Sequence, residues 1–234
     1  MSDALTNYLA ANTNVAALLA LEGGFRDPPG LQDQAAVEGL RGGCVVLMVA
    51  GFENYLKEAI AEVFDRINSA SPACEFHRLP LLLQAQAVYT GLNAAMNAKP
   101  WDSLKDKQLR LPGVLAAVAR ISRGEILSQE IAETAGNPNS DQVKSVFRTV
   151  GLSNVFGNIK PGFDAAWGGP TAQTFIANNL DAVVQRRHVV AHTASILSTS
   201  RTDLHEWKRF LQCFVSQLDA ALERHIGRVI RNAQ

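Results

Sequence analysis

The hydrophobic positions of this 234-residue chain recur mostly at steps of three and four residues, a spacing that places side chains on one face of an α-helix. No alternation typical of β-strands persists for more than a few residues. The pattern therefore predicts an all-α fold, a single helical bundle that extends over residues 1–234. The predicted helices cover 4–21, 32–68, 75–98, 112–134, 141–150, 172–193 and 202–231.

Glycine and proline mark the breaks between these predicted helices. Residues 26–30 predict a turn, and Pro112 predicts the beginning of the fourth helix. Residues 151–170 are rich in glycine and contain two prolines, so they predict an ordered but irregular loop whose aromatic side chains pack down. Ser200, followed three residues later by Asp203, predicts a capping box at the start of the last helix.

The second predicted helix contains glycine at positions 39, 42, 43 and 51, all in its first half. A glycine inside a helix costs roughly 1 kcal/mol relative to alanine. These glycines therefore predict either close approach by another helix or a local bend.

Composition and charge narrow the class of protein. Hydrophobic residues make up 47% of the chain and charged residues 19%, which is enough apolar material for a core. The 22 basic and 22 acidic residues give a net charge of zero, which excludes a globally basic protein that coats nucleic acid. A site that binds an anion must therefore depend on a local cluster of basic residues rather than on the charge of the whole chain. The longest apolar run, residues 44–52, is far shorter than the ~20 residues that span a bilayer, so we expect no membrane partner.

The chain has three cysteines, Cys44, Cys74 and Cys213, which lie far apart and form no Cys-x-x-Cys pair. An odd number at such spacing does not predict a disulfide framework or a cysteine-based zinc site. The first residues show neither the basic region nor the apolar region of a secretory signal. We therefore expect a reducing, cytoplasmic location.

The predicted helix at 172–193 breaks its own hydrophobic pattern at Arg187. The apolar stripe through Leu180, Val183 and Val184 predicts a hydrophobic residue at position 187. Burial of an unpaired arginine is very costly, so Arg187 is either paired internally or faces a cleft or subunit interface that receives an anion. His192 lies five residues further, about 140° around an ideal helix, so the two side chains do not share a face.

Three segments together resemble a known family. Residues 180–192, LDAVVQRRHVVAH, resemble the catalytic helix of HEPN-domain proteins, which carry an Arg-x4–6-His motif. Residues 45–58 and 136–151 are similar to the early helix, with its glutamate among hydrophobic residues, and to the middle helix of the RiboL-PSP-HEPN-like group. The resemblance covers about residues 35–230. It has one departure: His188 stands where the family usually has asparagine or another small polar residue after the arginine.

The resemblance implies a HEPN-type bundle and a metal-independent endoribonuclease that needs no cofactor and acts as a homodimer with a composite active site. The 2′-hydroxyl of RNA would attack the adjacent phosphate and leave a 2′,3′-cyclic phosphate. His192 would act as the acid/base and Arg187 as the clamp on the phosphate, with Glu53 orienting Arg187. A toxin–antitoxin or antiviral defence system is the implied setting, with an antitoxin or regulatory protein as a further partner.

Each candidate residue also has an alternative interpretation. Cations near a helix C-terminus suit the macrodipole, so Arg187 and His192 could be structural, in a plain helical scaffold or in a HEPN-like module that binds RNA or protein without cutting. Glu53 could simply pair with Lys57 on the helix surface. Arg186 could be solvated surface rather than a contact to the RNA backbone.

His188 and His192 have the i, i+4 spacing of two zinc ligands, with Asp203 or His205 as a possible third ligand. Alternatively, His188 hydrogen-bonds to phosphate or across the dimer axis. On the last predicted helix, Arg224, Arg228 and Arg231 form a basic ridge. This ridge is either a solvated face, which is the favoured interpretation, or a surface that helps an RNA backbone to approach.

Overall fold

The structure, a computed structural model, describes residues 1–96, 104–124, 138–193 and 199–234. Within these ranges the fold is all-α and contains no β-strand. The elements are α1 (Asp3–Gly23), α2 (Gln34–Asn68), a 3-10 turn (Phe76–Arg78), α3 (Leu81–Met96), α4 (Leu104–Ser122), α5 (Ser140–Thr149), α6 (Val155–Trp167), α7 (Phe175–Thr193) and α8 (Arg201–Ala233). The predicted all-α fold is confirmed.

Helix α2 forms the centre of the bundle and packs against α1, α5, α7 and α8. Its large side chains Phe52, Tyr55, Leu56, Ile60 and Phe64 follow the helical repeat and are fully buried or nearly so. Among the described helices, α2 is also the one that is long and apolar enough to cross a bilayer, judged by length and composition alone. A central core helix has the same composition, because most of its circumference meets other helices.

Helix α1 lies against α2 at two of the predicted glycines, Gly43 and Gly51. A Cβ atom on Gly43 would lie 3.3 Å from Cδ1 of Leu18, and one on Gly51 would lie 3.9 Å from Cβ of Ala11. At Gly39, by contrast, a Cβ would meet nothing within 4 Å. Close helix packing is therefore confirmed at Gly43, whereas the 3.9 Å at Gly51 is an ordinary van der Waals contact.

The predicted irregular loop at 151–170 is wrong, because residues 155–167 form helix α6. The side chain of Asn154 caps the N-terminus, and Gly168, at a φ of 106°, ends the helix in the left-handed conformation. Val155, Ile159 and Phe163 lie at steps of four residues and are buried, where α6 packs against α8. Packing of this stripe outweighs the unfavourable helix propensity of the glycines and of the proline inside the helix.

The fourth helix also begins earlier than predicted, at Leu104 rather than at Pro112. Pro112 lacks an N–H group and leaves the carbonyl group of Gln108 without its helical donor. Both residues are exposed, so water can satisfy that carbonyl group while α4 packs against α3. The helix ends at Ser122, and the predicted continuation over 125–134 lies outside the described residues.

Two other local predictions are confirmed. The backbone N–H of Asp203 donates to Oγ of Ser200 at 3.1 Å, and the N–H of Ser200 donates to Oδ2 of Asp203 at 2.9 Å, which completes the capping box. The aromatic residues of 151–170 do pack against the core, although from a helix: Phe163 is fully buried, and Phe156 and Trp167 are partly buried beside it.

Candidate active site on helix α7

Helix α7 is anchored by its first ten residues. Ile176, Leu180, Val183 and Val184 are between 0% and 4% exposed and join the core. The ring of Phe175 packs against those of Phe163, Trp167 and Phe210. Anchoring of this kind holds the following turns of the helix on a rigid base.

The buried stripe of α7 ends at Val184. From residue 185 to residue 192 every side chain is at least partly exposed: Val190 is half-buried and Ala191 is exposed. Arg187 is half-buried, and His192 is exposed. Neither side chain is therefore buried in the core.

The structure brings His188 and His192 together. Their ring centroids are 4.4 Å apart and the planes are inclined at 50°, as expected for residues one helical turn apart. In the described ranges, no third histidine, cysteine or carboxylate joins them to form a metal-binding group. Neither Asp203, which is engaged in the capping box, nor His205 completes a zinc site.

The exposed end of α7 carries concentrated positive charge. Arg186, Arg187, His188 and His192 lie within its last eight residues, and the segment 185–193 contains no Asp or Glu. Arg186 is half-buried and His188 is exposed. Charge of this sign suits the C-terminal end of the helix dipole and also attracts a phosphate group.

Glu53 lies on α2, the helix against which α7 packs. Its Oε1 atom is 3.0 Å from Nζ of Lys57, and its side chain is 23% exposed. The predicted surface pair with Lys57 is therefore present. Orientation of Arg187 by Glu53 stays a prediction.

Asp181, a polar residue in the middle of α7, holds the N-terminus of α5 in place. Its Oδ1 atom accepts from the backbone N–H of Ser140 at 2.7 Å, and its Oδ2 atom accepts from the Ser140 hydroxyl at 2.9 Å. These bonds attach the N-terminus of α5 to α7. This role could not be predicted from local sequence patterns, because the two partners are 41 residues apart.

A buried ion-pair cluster, which no sequence pattern had indicated as functional, lies beside the start of α8. Glu22, which is fully buried, accepts from Arg41 Nη2 at 2.6 Å and Nε at 2.8 Å, and from Arg201 Nε at 2.5 Å. Arg41 also donates to the carbonyl oxygen of Thr199 at 2.9 Å and to Asp27 at 3.0 Å. The cluster joins the end of α1, the start of α2 and the start of α8.

A signal for this cluster was present in the sequence. Val37, Arg41 and Val45 follow one another at steps of four, so an arginine interrupts a buried stripe of α2. Burial raises the pKa of Glu22, but the hydrogen bonds and charges of Arg201 and Arg41 lower it by more, and the net pKa lies below its usual value. Glu22 is thus held as a carboxylate.

The described part of the chain is an all-α bundle in which α7 ends in an exposed segment that contains arginine and histidine but no Asp or Glu. Sequence comparison supplies the family. Residues 14–224 match the model of the RiboL-PSP-HEPN family. The chain belongs to this family. No curated protein and no solved structure gives a match.

Proposed function

We propose that this protein is a metal-independent endoribonuclease of HEPN type. The observation that carries the proposal is the end of α7, where His192 is exposed and Arg187 is half-buried on a helix that is otherwise anchored in the core. Membership in the RiboL-PSP-HEPN family supports an RNA-related role for this helix.

The proposed reaction uses the adjacent 2′-hydroxyl of RNA as the nucleophile. His192 takes part in the proton transfers, since an imidazole exchanges protons near neutral pH. Arg187 binds two phosphate oxygens through its planar guanidinium and stabilises the charge that develops on the phosphorane. The bond to the 5′-oxygen then breaks, leaving a 2′,3′-cyclic phosphate and a 5′-hydroxyl.

In this proposal the active site is composite and forms in a homodimer. On an ideal helix Arg187 and His192 point about 140° apart, so one chain alone does not bring both to the same phosphate easily. Val190 and Ala191, which lie between them, are apolar and partly exposed, which suits a surface that a second copy covers.

The other candidate residues have supporting roles in the proposal. His188, whose ring contacts that of His192, hydrogen-bonds to phosphate or across the dimer axis, and Arg186 contacts the RNA backbone. Glu53 orients Arg187 from α2. The biological setting we propose is a toxin–antitoxin or antiviral defence system, in which an antitoxin or regulatory protein restrains the nuclease.

The experiment that tests the function compares variants on purified protein and RNA, with and without EDTA. Arg187→Ala and His192→Ala should abolish cleavage while leaving the fold intact, as measured by circular dichroism. Arg26→Ala and His205→Ala are matched controls, because both residues are exposed and have no assigned role.

The cleavage products are analysed in the same experiment. Mass spectrometry should find a 2′,3′-cyclic phosphate on the upstream fragment, and cleavage should persist in EDTA. Undiminished cleavage by His192→Ala would refute the assignment. RNA binding without cleavage in the parent protein would instead support the non-catalytic HEPN-like module.

A further inference from the structure

The last third of α8 presents three arginines on one face. Arg224, Arg228 and Arg231 are separated by four and three residues, and all three are exposed. From residue 224 to the last residue, 234, the chain contains no Asp or Glu. This part of α8 is therefore positively charged although the whole chain is neutral.

The three arginines line an open concave surface on α8. A cavity of about 540 Å³ is lined, in the described part of the chain, by Glu223, Arg224, Gly227, Arg228 and Arg231. We call it the arginine cavity. Gly227 is part of its lining, and the Nη1 atom of Arg231 is 3.5 Å from the point that a Cβ on Gly227 would occupy. A larger side chain at 227 would take up space that the guanidinium of Arg231 now uses.

The charge of the arginine cavity is not compensated within the described residues. Glu223, the acidic residue of the lining, forms an ion pair with Arg66 on α2. No carboxylate in the described ranges pairs with Arg224, Arg228 or Arg231. Three cations around one cavity repel one another, and an anion bound between them would relieve this repulsion.

We propose that the arginine cavity binds phosphate groups of an RNA backbone, outside the Arg187–His192 site. Guanidinium groups match phosphate oxygens in bidentate geometry, and this lining contains no aromatic side chain on which a base could stack. The contacts would position the strand without reading its sequence. The identity of the anion as RNA rests on the proposed function.

The test measures RNA affinity against salt concentration in a His192→Ala background, so that the probe is not cut. The probe is a fluorescein-labelled single-stranded RNA followed by anisotropy. Log K falls with log salt at a slope of about −0.7 for each phosphate contact, so Arg224→Gln/Arg228→Gln should make the slope less negative by about 1.4. If the double variant and the His192→Ala protein bind RNA equally at 1 M salt, the double variant should bind about 25-fold more weakly at 0.1 M salt.

The matched control removes the same charge elsewhere. Arg26→Gln/Lys208→Gln also loses two positive charges, one of them on α8, but leaves the arginine cavity intact and should leave the slope unchanged. Thermal unfolding of both double variants checks the fold. Equal slopes for the two double variants would overturn the proposal.

Cleavage by the parent protein separates this proposal from the proposed function. If the parent does not cut RNA but the salt dependence of RNA binding depends on Arg224 and Arg228, the arginine cavity is supported as a phosphate site and the proposed nuclease function is refuted. If the parent cuts and the slope does not depend on them, the reverse holds. If no RNA binds, both proposals fall.

Discussion

Replacement of Glu22 by alanine is expected to destabilise the protein severely, although Glu22 lies outside the proposed active site. Glu22 is 0% exposed and receives hydrogen bonds from both Arg41 and Arg201. Its removal leaves the guanidinium of Arg41, which is 9% exposed, with Asp27 and one backbone carbonyl as partners. Removal of one partner from a buried ion pair typically costs 3–5 kcal/mol.

The magnitude can be placed within that range from the remaining contacts. Arg201 keeps two backbone acceptors, the carbonyl oxygens of Glu22 and Phe25, so it is not left without hydrogen bonds. Arg41 keeps the carbonyl of Thr199. We therefore expect a loss of about 3 kcal/mol, the lower end of the range. Folded proteins typically have a free energy of unfolding of about 5–15 kcal/mol, so a loss of this size is a large fraction of the total stability.

The assay is urea-induced unfolding of the parent and the variant at pH 7. The free energies of unfolding are compared provided that the two proteins have the same m-value. Asp141→Asn is the control, because Asp141 pairs with Lys144 on the surface and is 87% exposed. Such a pair contributes less than about 1 kcal/mol. A loss below 1 kcal/mol for Glu22→Ala would refute the view that the cluster holds these helices together.

The same cluster predicts a dependence of stability on pH. The pKa of Glu22 is lowered in the folded state, so the unfolded state binds its proton more readily. Its contribution is therefore fully present above the unfolded pKa of about 4.3 and decreases as the pH falls through the lower folded pKa. The stability difference between the parent and Glu22→Gln should shrink below about pH 4; a constant difference would contradict this sign.

Three further variants test other parts of the structure. If Glu53 orients Arg187, Glu53→Gln should slow RNA cleavage, measured by gel electrophoresis of the products, whereas Lys57→Gln, which breaks the same surface pair, should not. Equal cleavage rates for the two variants would show that Glu53 is not part of the site. Gly43→Val should lower the free energy of unfolding by about 1–3 kcal/mol, because α1 already lies 3.3 Å from the position of its Cβ; urea unfolding measures this, and a stabilised variant would contradict it. Gly168→Ala should cost about 1–2 kcal/mol through its positive φ of 106°, and an unchanged melting temperature would argue against the left-handed helix end.

Local rules explain which parts of the fold could be predicted from the sequence. The capping box at Ser200 and Asp203 involves residues three apart, and the stripes of α2 and α8 depend on periodicity alone, so both were predictable. The candidate site was proposed in a similar way, since the apolar spacing of the predicted helix placed a hydrophobic residue at position 187, where the sequence has arginine. Family resemblance then supplied the roles of the residues, which spacing alone did not.

The features that the sequence predicted wrongly, or did not predict, depend on contacts between residues that are distant along the chain. Helix α6 contains glycine and proline that predict a loop, and it is helical because Phe163 and its neighbours pack against a helix far along the chain. The ion pairs of Glu22 join residues 19 and 179 positions apart, a pairing that no local pattern records. The concave form of the arginine surface likewise depends on where the side chains of α8 and the Glu223–Arg66 pair come to lie.

The sequence by itself determined the helical class, the positions of most helices and the helix that carries Arg187 and His192. The tertiary structure decided that the buried stripe of α7 stops at Val184, which leaves these two side chains accessible to solvent. The physical reason is that periodicity and capping act within a few residues, whereas burial and charge pairing depend on which helices meet in space.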